Sequence, residues 1–152
     1  MAGIERTLYR SRDAGGILEV MPLRILVVDD DPDLRGALAG VLGGDFEVRE
    51  AESGERALDL IKTEILHLVL LDVSMPGLSG LDVLALSRAL APGLPVIMLT
   101  SHQDVELALE ALSHGAVEYV TKPFDAGYIR AEVARLLAPP PPSDGRPWKV
   151  AA

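Results

Sequence analysis

Between Met21 and Ala138 the sequence alternates short, unbroken apolar runs with stretches of helical period, five times over. The first run is Ile25-Leu26-Val27-Val28, which ends abruptly in acids. Pro32 suits the first turn of a helix capped by Asp31 or Asp30. Leu34, Leu38, Val41 and Leu42 then share one helical face, and Gly43-Gly44 stops the helix. Phe46 to Arg49 reads as a modest strand, and Ser53 caps a helix carrying Ala57, Leu58 and Ile61. Leu66 to Leu71 is the next apolar run. A turn at Met75-Pro76-Gly77 leads to a helix whose Leu81, Leu84 and Ala85 are expected to face inward. Pro95 to Leu99 reads as a strand, followed by a helix with Val105, Ala108, Leu109 and Leu112 inward. Val117 to Val120 is the last strand, and Ile129, Val133, Leu136 and Leu137 mark the last helix. Strands that are apolar throughout belong to a parallel sheet covered on both faces. Repeated β-α order then predicts an α/β fold, a doubly wound five-stranded parallel sheet with five helices and right-handed crossovers.

The flanks differ. Residues 1–20 show no sustained period and read as an N-terminal extension, with Met21 as an alternative start. Residues 139–152 open with Pro139 to Pro142, an extended and stiff run, and read as a Pro-rich tail or the start of a linker. Trp148 in that tail offers a contact for a partner, although the tail reads as disordered. The folded unit is therefore 21–138. Of the 152 residues none is cysteine, which leaves out disulfides, thiolate metal sites and a cysteine nucleophile. The net charge of −9 argues against nucleic-acid binding and against anionic membranes, both of which attract clustered Lys and Arg. No signal-peptide core is present, and no apolar run approaches the ~20 residues of a membrane helix. A soluble, cytoplasmic protein is the expectation.

In doubly wound sheets ligands bind beyond the carboxyl ends of the strands. The residues at those ends are Asp29-Asp30-Asp31, Asp72, Thr100 and Lys122-Pro123. Singly, each is ordinary: an acid before proline caps a helix, an Asp after a strand forms a turn, a Lys is solvated. Together they place carboxylates, a hydroxyl and an ammonium on one rim. Clustered carboxylates repel, and a divalent cation with a preference for hard oxygen ligands, Mg²⁺ above all, relieves that conflict. Asp72 is then a carboxylate nucleophile beside a cation and Lys122, a set suited to in-line attack on a phosphoryl group. The product is an aspartyl phosphate, and no general base is needed.

These residues closely resemble the receiver domains of two-component response regulators. The resemblance covers about Leu23 to Leu137. It rests on Ile25 to Pro32, Leu70-Leu71-Asp72-Val73-Ser74-Met75-Pro76-Gly77, Val96-Ile97-Met98-Leu99-Thr100-Ser101 and Val120-Thr121-Lys122-Pro123-Phe124. The intervals are family-like: 42 positions from Asp30 to Asp72, 28 on to Thr100 and 22 on to Lys122. The resemblance implies a flavodoxin-like (βα)5 fold and a phosphoprotein that catalyses only its own phosphoryl transfer and autodephosphorylation. It implies Asp72 as phosphoacceptor, Asp30 as direct Mg²⁺ ligand, Asp29 as the acid orienting metal-bound water, and Ser74 as contributor of a backbone carbonyl to the metal shell. It further implies Thr100 as the hydroxyl that moves onto the phosphoryl group, Lys122 as the family's lysine with a cis bond to Pro123, and Tyr119 as the aromatic switch. Ser74 and His102 stand where the family tunes phosphoryl lifetime. His67, His102 and His114 have no metal-binding spacing.

A sensor histidine kinase is the implied phosphodonor. The output would pass through the face of the fourth helix, last strand and last helix to an effector or output domain that is not written in the chain, with a phosphorylation-dependent homodimer as one form of it. Both a stand-alone receiver and part of a longer regulator fit the sequence, the latter because Ser101 to Glu106 looks like receivers that precede transcription-factor modules. Three other readings share the architecture. A metal-dependent phosphohydrolase needs a second acid two residues after the nucleophile, where Ser74 stands. An FMN carrier needs a phosphate-binding loop after the first strand, where three acids would repel phosphate. A degenerate receiver used as an interaction scaffold is at odds with the intact Asp30, Asp72, Thr100 and Lys122.

Overall fold

The computed structural model describes residues 8–12, 18–101 and 104–138. His102, the proline run, Trp148 and much of the N-terminal extension, on which parts of the sequence reading fell, lie outside them. Two strands come first, β1 (Leu8–Arg12) and β2 (Leu18–Pro22), paired antiparallel with Leu8 opposite Pro22 and Arg12 opposite Leu18. Periodicity missed this hairpin because neither five-residue strand alternates. Gly15-Gly16 between them was the available signal.

The main sheet follows the expected plan. β3 (Arg24–Val28), β4 (Glu47–Ala51), β5 (Leu68–Asp72), β6 (Val96–Thr100) and β7 (Glu118–Thr121) pair in parallel in the order β4-β3-β5-β6-β7. The connecting helices are α1 (Pro32–Leu42), α2 (Gly54–Thr63), α3 (Gly80–Leu90), α4 (Val105–Ser113) and α5 (Ala126–Leu137). Each strand feeds both faces of the sheet in alternation. Ile25, Val27, Leu68, Leu70, Ile97 and Leu99 join Leu38, Leu42, Ile129 and Val133 in a core beneath α1 and α5. Leu26, Val28, Val69, Leu71, Val96 and Met98 join Ala57, Val83, Leu84 and Ala111 beneath α2, α3 and α4. Both cores exclude water from the strands, so the unbroken apolar runs pay for themselves twice.

Helix starts are fixed locally. Asp31, not Asp30, caps α1, its side chain accepting the Asp33 N–H, and Pro32 occupies the first turn. Ser53 caps α2, Ser79 and Asp82 form a capping box on α3, and Asp125 caps α5. α4 has no side-chain cap. It also turns a different face inward than expected. Ala108 and Ala111 are buried while Leu109 is 52% exposed. The helix is apolar on more than one face, so period alone admits two orientations, and two alanines let its axis approach the sheet. On α3, likewise, Val83 and Ser87 are buried with Leu84, and Ala85 is exposed.

Chain order dictates where a site can form. From β3 the chain steps outward to β4, then returns across β3 to β5 and continues the other way. The crossovers therefore diverge between β3 and β5, and a crevice opens beyond the carboxyl ends of those two strands.

Candidate functional site

Asp29 is the first residue after β3, Asp30 the next, and Asp72 the last residue of β5, so the crevice is lined with acids. Asp29 is 1% exposed. Its Oδ1 accepts the Asp31 N–H at 2.9 Å, and its Oδ2 accepts Lys122 Nζ at 2.9 Å. Its backbone is held as well, since its N–H donates to the Ala51 carbonyl at 3.2 Å and its carbonyl accepts Arg35 Nη1 at 2.7 Å. Arg35, which also reaches Glu50 at 3.4 Å, was not singled out from the sequence, because a helical arginine carries no local signal of this contact.

Asp72 is buried too. Its Oδ1 accepts the Ser74 N–H at 3.1 Å, and its Oδ2 lies 3.5 Å from Lys122 Nζ. Ser74 itself is exposed, as is Asp30. One carboxylate oxygen from each of Asp29, Asp30 and Asp72 lies within 4.8 Å of the others. Lys122 follows β7, and its N–H donates to the Thr100 carbonyl, which sets the side chain across the crevice. The Lys122–Pro123 bond is cis.

Three carboxylates against one ammonium leave this cluster short of positive charge. The imbalance falls on Asp72. Burial pushes its carboxyl from 3.8 up to about 6, and the Asp29 charge adds to the rise against the Ser74 N–H and Lys122. The Lys122 pKa is shifted up as well: burial opposes its charge, but its hydrogen bond to Asp29 and the Asp72 charge hold it above the ordinary lysine value. An all-oxygen, undercompensated donor set, with two of its three carboxylates buried, fits a hard divalent cation.

The remaining expected residues are placed differently. Thr100, last in β6, is wholly buried, but its hydroxyl donates to the Ser101 carbonyl at 3.1 Å. Tyr119 is half-buried in β7, packed against the core beneath α2, α3 and α4. Gly80 was overlooked. At the first turn of α3, its N–H donates to the Val73 carbonyl at 3.0 Å, and a Cβ there would run into the Asp72 carbonyl oxygen and stand 2.7 Å from Val73 Cα. The only sequence signal for it was a glycine directly after a helix cap.

The response regulator receiver domain, as a family, matches residues 25–134. The chain belongs to this receiver family. It is 40% identical over 126 residues to response regulator MprA of Mycolicibacterium vanbaalenii, covering 82% of this chain and 54% of that one. It is 39% identical over 115 residues to transcriptional regulatory protein ZraR of Escherichia coli K12, covering 75% and 26%. A receiver domain protein described as CheY-like, from Methanospirillum hungatei, superposes with a TM-score of 0.72 at 28% identity, covering 76% of this chain and 93% of that one. The chain thus spans about a quarter to a half of the length of the curated relatives it matches. As a receiver it is a signalling phosphoacceptor of two-component systems rather than a conventional enzyme, which sets the phosphohydrolase and FMN-carrier readings aside. The expectation of no nucleic-acid binding is not upheld: the acidic balance describes the receiver, and a relative such as ZraR is named a transcriptional regulator. Among the described residues no helix is long and apolar enough to cross a membrane.

Proposed function

We propose that this receiver takes a phosphoryl group onto Asp72 from a sensor histidine kinase, with Mg²⁺ held by Asp29, Asp30, Asp72 and the backbone carbonyl of Ser74. The convergence of three carboxylates and Lys122 at the strand switch point carries this reading. The Asp72 oxygen attacks phosphorus, the P–N bond of the donor phosphohistidine breaks, and the imidazole leaves with the electron pair and takes a proton from solvent. Bound Mg²⁺ supplies charge that offsets the phosphoryl oxygens. Lys122 adds a fixed positive charge from β7, and Asp29 keeps that ammonium aimed into the crevice. Thr100 leaves the Ser101 carbonyl to donate to the new phosphoryl group. Tyr119, one pleat below on the neighbouring strand, turns inward as it does so, and α4, which lacks a side-chain cap, shifts with them. Autodephosphorylation by water returns the site to its starting state. Residues 21–138 form the receiver, 1–20 an extension and 139–152 a tail or linker; the face of α4, β7 and α5 meets the partner, a second phosphorylated copy included.

Incubation with acetyl phosphate and Mg²⁺ tests this directly. Intact protein is expected to gain one phosphoryl group that base and hydroxylamine remove, as they do from an acyl phosphate, and Asp72→Asn none. Uptake by the Asn variant, or none by the intact chain with beryllofluoride also silent, overturns the reading. A separate expectation concerns Lys122. Lys122→Ala removes the cation nearest two of the ligands, so Mg²⁺ affinity by calorimetry should rise several-fold while phosphoryl uptake falls.

A further inference from the structure

Three successive acids, Asp29, Asp30 and Asp31, serve three ends in the structure. Asp29 accepts Lys122 Nζ and the Asp31 N–H, Asp31 caps α1, and Asp30 presents the one exposed carboxylate of the cluster with Asp29 and Asp72. Adjacent like charges repel, so the backbone must hold these side chains to their separate places. The carboxylates of Asp29 and Asp72 are fixed by hydrogen bonds of their own, from Lys122 and from the Ser74 N–H. Asp30 has no side-chain hydrogen bond among the described residues, so its place depends on the peptide that carries it.

Arg35, in the first turn of α1, grips that peptide from both sides. Its N–H donates to the Asp31 carbonyl at 3.1 Å, and its Nη1 donates to the Asp29 carbonyl at 2.7 Å. The two acceptors belong to the residues before and after Asp30. The Asp29 amide is held as well, by the Ala51 carbonyl at the end of β4. Arg35 Nε lies 3.4 Å from Glu50 on the same strand, and the arginine side chain is only 17% exposed. A guanidinium suits this place because its donors are rigidly arranged, so one group reaches a carbonyl and a carboxylate together. The bond is to backbone rather than to a carboxylate of the cluster, and Glu50 offsets the charge. Position and charge therefore act in opposite directions on a bound cation. Through charge alone, as at Lys122, removal of Arg35 favours Mg²⁺, whereas loss of position disfavours it.

We propose that Arg35 is a positioning residue of the cation site: its bonds to the Asp29 and Asp31 carbonyls set Asp30 against Asp29 and Asp72 before any ion arrives. The inference rests on the reading that these three acids hold Mg²⁺. Position outweighs charge at Arg35, the reverse of Lys122, because Arg35 touches the backbone of the acids and Lys122 touches their carboxylates.

Calorimetry with Mg²⁺ on the full chain, paired with acetyl phosphate labelling, tests this. Arg35→Gln is expected to weaken Mg²⁺ binding by about tenfold, the scale on which groups that orient metal ligands act. Raising Mg²⁺ is expected to restore most of its phosphoryl uptake, which a general loss of structure would not allow. Arg35→Lys keeps the charge and one donor, so its affinity is expected to fall between those of the parent and Arg35→Gln. Glu50→Gln removes the ion pair and leaves the bond to the Asp29 carbonyl, so an affinity within about twofold of the parent is expected. An Arg35→Gln affinity equal to or above that of the parent overturns the proposal, since Arg35 then acts through charge or not at all. Equal losses in Arg35→Gln and Glu50→Gln overturn it too, because Arg35 then only ties α1 to β4. Should circular dichroism show Arg35→Gln unfolded, Arg35→Lys decides, and parental affinity in it is the overturning result. A parent that binds no Mg²⁺ refutes the reading of the acids and this inference with it; a parent that binds it puts only Arg35 at stake.

Discussion

Asp72→Asn is expected to raise the stability of the cation-free protein and, in the same molecule, to abolish stabilisation by Mg²⁺. In the folded chain the Asp72 carboxyl titrates at about 6 rather than 3.8, chiefly because burial disfavours its charge. Folded protein therefore binds this proton more tightly than unfolded protein does. Stability falls as pH climbs through that window and stays lower above it. An amide of the same shape carries no charge to desolvate. At about pH 7.5 in EDTA the gain should be about 1–2 kcal/mol, reduced from the full shift by solvent at the crevice mouth, or a rise in Tm of roughly 3–8 °C. Near pH 4 the two proteins should melt together. Added Mg²⁺ should then raise the Tm of the parent by mass action and leave the Asn variant almost unmoved. Melting curves at two pH values, with and without Mg²⁺, check every part of this. A parent that is already the more stable protein in EDTA would show that Lys122 fully compensates Asp72.

The second large effect lies outside the charged cluster. Gly80→Ala is expected to destabilise the fold by about 3 kcal/mol, because the added methyl meets the backbone of Asp72 and Val73, which cannot yield as a side-chain end would. Since the strain falls on Asp72, the proposed phosphoacceptor, phosphoryl uptake should drop beyond what the loss of folded protein explains. Gly40→Ala is the matching control. Gly40 sits exposed within α1 with nothing within 4 Å of an added Cβ, so alanine there should stabilise by about 0.5–1 kcal/mol and leave uptake intact. Urea denaturation followed by acetyl phosphate labelling of each variant separates the two effects.

The sheet was legible because both of its faces are buried: runs such as Ile25 to Val28 and Leu68 to Leu71 admit few other homes. The cluster of Asp29, Asp30, Asp72 and Lys122 was legible for a related reason, since strand ends in a doubly wound fold are ordered in space once the strands are. Whatever depends on short-range packing escaped. Nothing in Val105 to Leu112 says that Ala108 and Ala111, rather than Leu109, meet the sheet; the closeness of the neighbouring strands decides it. The place of Thr100 at the end of its strand was legible, but not the bond of its hydroxyl to the Ser101 carbonyl. Gly80 and Arg35 act through backbone contacts across the fold, which leave no trace in local pattern. The hairpin of β1 and β2 was hidden by its brevity.

Lys122 and Asp29 are joined across 93 positions, with Asp72 between them in sequence. During synthesis the three acids emerge long before the lysine that balances them. A chain stalled or cleaved short of residue 122 would keep its acids and lack their counter-charge, and a fragment of this kind would be a poor phosphate acceptor whatever fold it reached.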